Sequence, residues 1–102
     1  MINIFDFVTN LWYHYIMSKQ QKLLNKFLEI PPKKNLTFDE LESLLISLGY
    51  KKLEGSGSRV KFYNEEIDDM INLHKPHPDN KLKVYLIKQI QEKLKNGGFD
   101  NV

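Results

Sequence analysis

No cysteine occurs in the 102 residues, so disulfides and thiolate metal sites are excluded. That absence fits a reducing compartment. Proline and glycine are sparse, at 4 and 5 residues, which leaves no room for a collagenous or linker-like stretch. Charge of one sign is also lacking: 15 basic against 13 acidic residues leave +2, too little to argue for nucleic acid from net charge alone. There is no apolar run long enough to span a bilayer. With 41% hydrophobic and 27% charged residues, the composition is that of one small globular domain with a two-layer core.

The aromatics are unevenly placed. Phe5, Phe7, Trp12, Tyr13 and Tyr15 crowd residues 1–17. Asp6 and His14 interrupt this leader, and it lacks the basic start and cleavage site of a signal peptide. It reads in one of three ways: residues before a true start at Met17, a helical extension packing on the domain, or an apolar surface for a partner or a membrane. The domain proper is expected at 18–98, with 99–102 a tail.

Ser18 and Gln21 have capping-box spacing, and Leu23, Leu24, Phe27 and Leu28 make one apolar stripe, so a helix is expected over 19–29. Pro31 and Pro32 stop it. A second helix opens at Thr37 with Glu40 as its capping-box partner and Leu36 and Leu41 as the hydrophobic staple; Phe38, Leu41, Leu44, Leu45 and Leu48 recur at helical spacing to a stop at Gly49. Three strand-like runs follow at 50–54, 58–63 and 69–74, with Val60, Phe62, Ile71 and Leu73 facing the core and 64–68 a polar loop. Leu82, Leu86, Ile90 and Leu94 predict a last helix over 82–95. The order α, α, β, β, β, α predicts an α+β fold: a three-stranded antiparallel sheet with helices packed on one face.

Three groups of residues could carry chemistry. Gly55-Ser56-Gly57-Ser58-Arg59 is either a phosphate-holding turn with bare amides and a cation or a hairpin turn that needs glycine. In His74-Lys75-Pro76-His77-Pro78, two imidazoles that titrate near neutrality suit acid–base work; the alternative is an exposed loop with incidental histidines. No metal site is expected there, because no cysteine accompanies the histidines and only His14 remains elsewhere. Lys51, Lys52, Arg59, Lys61, Lys75, Lys81 and Lys83 either merge into a phosphate-binding face or are ordinary solvated cations.

From Lys22 to Gly98 the chain resembles the HicA toxin family. The resemblance rests on Leu-Thr-Phe-Asp-Glu-Leu at 36–41, Leu-Gly-Tyr at 48–50, Gly-Ser-Gly-Ser-Arg-Val-Lys-Phe at 55–62 and Leu-His-Lys-Pro-His-Pro at 73–78, in this order. It implies a fold like that of double-stranded-RNA-binding domains. It also implies a cytoplasmic toxin that cuts messenger RNA without metal or other cofactor, acts on RNA rather than DNA, and is neutralised by a HicB-like antitoxin. The family's second strand usually carries a histidine in a Gly-Ser-His motif; here the matching position is Ser58, followed by Arg59. The chain's Gly-Ser-Gly-Ser-Arg form resembles a variant branch, and His77 matches a second family histidine. The catalytic candidates are therefore His77, His74 and Ser58. Gly55, Ser56, Gly57, Arg59, Lys61 and Lys75 are the candidates for holding RNA phosphate. The alternative is a catalytically silent RNA-binding module of the same fold.

Overall fold

The computed structural model describes residues 19–99. The aromatic leader, the Ser18 cap and the chain beyond Phe99 lie outside the described residues. Helix α1 covers residues 19–28 and is followed by α2 (Phe38–Ser47), β1 (Lys51–Glu54), β2 (Arg59–Asn64), β3 (Asp69–His74) and α3 (Val84–Asn96). The strands form one antiparallel sheet in the order β1-β2-β3.

The apolar spacing of each element explains the packing. Leu24 and Phe27 of α1, Phe38, Leu41, Leu44 and Leu45 of α2, and Ile87, Ile90 and Leu94 of α3 are buried in one cluster. Val60, Phe62, Ile71 and Leu73 supply the sheet's side of it. All three helices thus feed a single core, with Phe38 and Phe62 meeting at 6.3 Å between ring centroids.

The helix ends show why the chain breaks where it does. Thr37 accepts a hydrogen bond from the Glu40 amide, and Glu40 accepts one from the Thr37 amide, a complete capping box. Lys26 of α1 reaches Glu40 at 3.0 Å. After Pro31 and Pro32 remove the continuation of α1, the Gln91 amide of α3 donates to the carbonyls of Phe27 and Glu29 at 2.9 and 2.8 Å. A side chain from the last helix therefore caps the first.

Three boundaries differ from the sequence expectation. The first strand starts at Lys51, with Tyr50 buried just before it. Leu82 is buried but precedes α3: its amide donates to the Leu36 carbonyl, which commits the backbone to a bridge instead of a helix. Asn64 closes β2 and is not part of the following loop. It is 2% exposed, donates to the Leu48 carbonyl and accepts from the Glu66 amide. It thereby ties the end of α2 to the β2–β3 turn. Gly49 turns beside it with φ +101°, a conformation that favours glycine.

A second polar tie lies at the same end of the sheet, where Asp69 is the register partner of Asn64. Tyr50 donates to Asp69 at 2.6 Å, and Lys93 of α3 donates to the other Asp69 oxygen at 2.8 Å. Burial pushes the Asp69 carboxyl upward, but the bonds from Lys93 and Tyr50 outweigh it and hold the group below its ordinary value. Burial and Asp69 together push the Tyr50 hydroxyl up, so it stays a donor.

Two outcomes follow from these ties. Asn64→Ala leaves the part-buried Leu48 carbonyl and a turn amide without their side-chain partner, and urea unfolding should show a loss of about 1 kcal/mol. Because Asp69 sits below its unfolded value, its contribution is present above about pH 4 and is lost as pH falls through the folded value. Asp69→Asn should lower stability at pH 7 and flatten the acid limb of the stability–pH curve. An unchanged acid limb would show that this carboxylate is not coupled to folding.

Candidate functional site

Side chains alternate along each strand, so register sorts them by face. Lys52 pairs with Phe62, and Phe62 with Ile71, on the side packed by helices. The opposite side carries Lys51, Leu53, Arg59, Lys61, Tyr63, Met70, Asn72 and His74. None of these strand residues is acidic. Among the described residues, Lys51, Arg59 and Lys61 have no carboxylate partner. Leu53 and Met70 are exposed among them.

Arg59 lies opposite His74. The Lys75 amide donates to the Ser58 carbonyl at 2.8 Å, so Ser58 and Lys75 form a hydrogen-bonded pair. In the alternating ladder, Arg59 and His74 then form the non-bonded kind, whose Cα atoms typically sit about 4.5 Å apart with side chains drawn together. A guanidinium and an imidazole are thus neighbours on an open, positively charged face.

The glycine turn sits at the same end of the sheet. The Gly55 amide donates to the Arg59 carbonyl and the Arg59 amide to the Ser56 carbonyl, closing the β1–β2 hairpin. A Cβ on Gly55 would stand 3.3 Å from Arg59 Cβ, and Gly57 has φ +66°. Both glycines are accounted for by the hairpin, and two of the turn's amides are already committed. Ser58 is exposed beside Lys75.

The histidine segment is anchored at both ends. Its start hangs from Ser58, and its end is held by the Asn80 carbonyl accepting from the Phe38 amide and by the Thr37–Lys81 bridge. Asp79 turns the chain by accepting from the Lys81 amide. Between these anchors lies an open groove of about 580 Å³ lined by His74, Lys75, His77, Lys81, Lys83 and Tyr85, with Asp79 at its edge. Both histidines therefore face one space, and His74 belongs to the groove and to the open sheet face at once. Lys81 and Lys83 make no ion pair among the described residues.

Not every cation is available. Glu54 accepts from Lys52 at 3.3 Å and from Lys75 at 3.2 Å, and Lys52 also reaches Glu42 at 2.8 Å. Their bonds hold the Glu54 carboxyl below its ordinary value, Lys75 contributing most. Of the phosphate-binding candidates, Arg59 and Lys61 have no carboxylate partner among the described residues while Lys75 is shared with Glu54. Sequence reading missed Tyr85, whose only signal is an aromatic lying off the apolar stripe of the last helix. Among the described residues no cluster of His, Asp and Glu is placed to hold a metal ion. No described helix is long and apolar enough to cross a membrane.

A family model described as HicA toxin of bacterial toxin-antitoxin matches residues 38–98, from the first turn of α2 to the glycines after α3. The match spans more than half of the chain. This chain belongs to the HicA toxin family. It is a toxin of the toxin–antitoxin kind, with a partner of the antitoxin kind implied, in a family whose members are generally endoribonucleases. The α+β architecture, with three helices against a three-stranded antiparallel sheet, is that of the HicA fold. No curated protein and no solved structure gives a significant match to the chain.

Glu54 restrains Lys75, which lines the HicA groove, and shares Lys52 with Glu42. Glu54→Gln should release Lys75, while Lys52 keeps Glu42, so that the variant elutes from a heparin column at higher salt than the parent protein. Equal elution would mean that the ion pairs already dissociate in solution.

Proposed function

We propose that this HicA protein is a metal-independent endoribonuclease that cleaves messenger RNA in the cytoplasm. The observation that carries the reading is that Arg59 and His74 are register partners on the open sheet face and that His74 also lines the groove with His77. In this mechanism the ribose 2′-hydroxyl attacks the adjacent phosphorus. The 2′-O–P bond forms and the P–5′-O bond breaks, leaving a 2′,3′-cyclic phosphate and a free 5′-hydroxyl. One imidazole, His74, takes the 2′-hydroxyl proton. The other, His77, gives a proton to the departing 5′-oxygen. Arg59 and Lys61 neutralise the charge that builds on the phosphorane oxygens, where a guanidinium fork suits two of them. Ser58 and the tip of the glycine turn orient the phosphate from the end of the sheet, with Lys75 as a further cation.

An antitoxin of the HicB kind would silence this chemistry by covering Arg59, Lys61 and His77. A partner with an acidic surface suits the cations, and the exposed Leu53 and Met70 give it apolar ground.

One observation favours a second reading. Ser58 stands where the resemblance expects the histidine of a Gly-Ser-His motif, and a serine is no base near neutral pH without help. A chain that relied on that position alone would bind RNA without cutting it.

Induced expression of the full chain in bacteria, with growth and message integrity followed together, separates the two. Growth arrest with fragmented messages carrying cyclic-phosphate ends is the expected result. On purified protein, His74→Ala should cut the cleavage rate by about 10²- to 10⁴-fold. Arg59→Ala should cut it by about 10²- to 10³-fold. Normal growth with intact messages, from folded protein, would establish the silent module. Cleavage at the parent rate by both His74→Ala and His77→Ala would remove the histidines from the mechanism.

A further inference from the structure

Tyrosine rings on helix surfaces usually rest against a neighbour, because the ring carries a large apolar area. Tyr85 does not. It occupies the first turn of α3, is 63% exposed and makes no hydrogen bond among the described residues. Its neighbours Leu86 and Ile87 turn towards the core while its own ring lines the groove that holds His74 and His77. Among the described residues Lys81 and Lys83 have no carboxylate partners, and Asp79, the one described acid lining the groove, accepts from the Lys81 amide.

Resting on the RNA-cleaving reading above, we propose that Tyr85 is a stacking platform for an unpaired base and makes the groove a site for single-stranded RNA. The flanking lysines attract the phosphate backbone, and the bare ring offers a π-face to the base. Bases inside a duplex are already stacked on each other, so a ring at a groove wall can meet only a base that has left the stack. Every base has such a face, which makes this contact tolerant of sequence. The ring stands on a helix and His74 on a strand end, so a stacked base fixes its nucleotide relative to the imidazole. Orientation of this kind is what a 2′-hydroxyl attack requires. Tyr85 is therefore a positioning residue and moves no proton itself.

The test uses the full chain and 2′-O-methyl oligonucleotides, which lack the attacking hydroxyl and stay intact during measurement. An unstructured single strand and a blunt duplex of equal length are titrated against the parent protein, Tyr85→Ala and Tyr85→Phe. Tyr85→Ala should weaken single-strand binding by about 5- to 150-fold, with an unchanged dependence on salt. Tyr85→Phe should bind within about twofold of the parent, since the ring survives. Duplex binding should not respond to either change. Parent-like binding by Tyr85→Ala, an equal loss in Tyr85→Phe, or an equal loss on duplex would each overturn the stacking role and leave the nuclease reading standing. If the parent protein binds neither oligonucleotide, the RNA reading itself falls and the stacking role falls with it. Tyr85 is exposed, so both variants should keep the parent's thermal melt, which the same preparations report.

Discussion

A three-stranded sheet with helices on one side can bury only one of its faces, and the rest of this domain follows from that constraint. Val60, Phe62, Ile71 and Leu73 commit the buried face to α1, α2 and α3. The alternate residues of the same strands then have no choice but to stand in solvent. A slip of one residue in register would exchange the two sets, placing Arg59, Lys61 and His74 in the core at a cost no packing could offset. The hydrophobic pattern that builds the fold is thus also what delivers the cations and the imidazole to one open surface. Because the fold sets that surface, Arg59 and His74 are juxtaposed by strand pairing and need no contact of their own.

Local signals were legible in the sequence, and distant ones were not. The Thr37–Glu40 capping box, the Leu36–Leu41 staple and the Gly49 stop are written within a few residues of each other, and α2 is built as they predict. The alternation in 58–63 and 69–74 placed the right side chains inside. Asn64 escaped notice because it precedes a run of polar turn residues and differs from them only in touching Leu48, which lies 16 positions away. Leu82 matched the helical ladder by spacing, yet a bridge to Leu36 claimed its amide, a tertiary bond overriding local periodicity.

The same distinction runs through the candidate site. The residue types of the histidine segment and of the Gly-Ser-Gly-Ser-Arg run marked them as chemical candidates. That they meet at one end of the sheet depends on pairing between β2 and β3, and that His74 and His77 share a groove depends on anchors at Phe38 and Thr37. Charge counting treated Lys52 and Lys75 as equal to Arg59 and Lys61. Glu54 separates them, being 21 positions from Lys75 in sequence and 3.2 Å from it in space. The glycines turned out to be needed by the hairpin itself, so their presence is explained before any ligand is considered.

The Gln91 cap on α1 joins residues 64 positions apart, and the bridge beside the groove joins Thr37 to Lys81. A chain leaving the ribosome amino end first can form the bridge once residue 81 has emerged, but the cap only once α3 has been made. Before α3 is made, Phe27 lacks its α3 partner and the groove lacks its Tyr85 wall. Among the described helices the first is thus completed by the last, and the described fold becomes available only once α3 has been made. For a toxin this has a plain consequence: a polypeptide interrupted before α3 is not a partly active version of the whole, and harm waits on that helix.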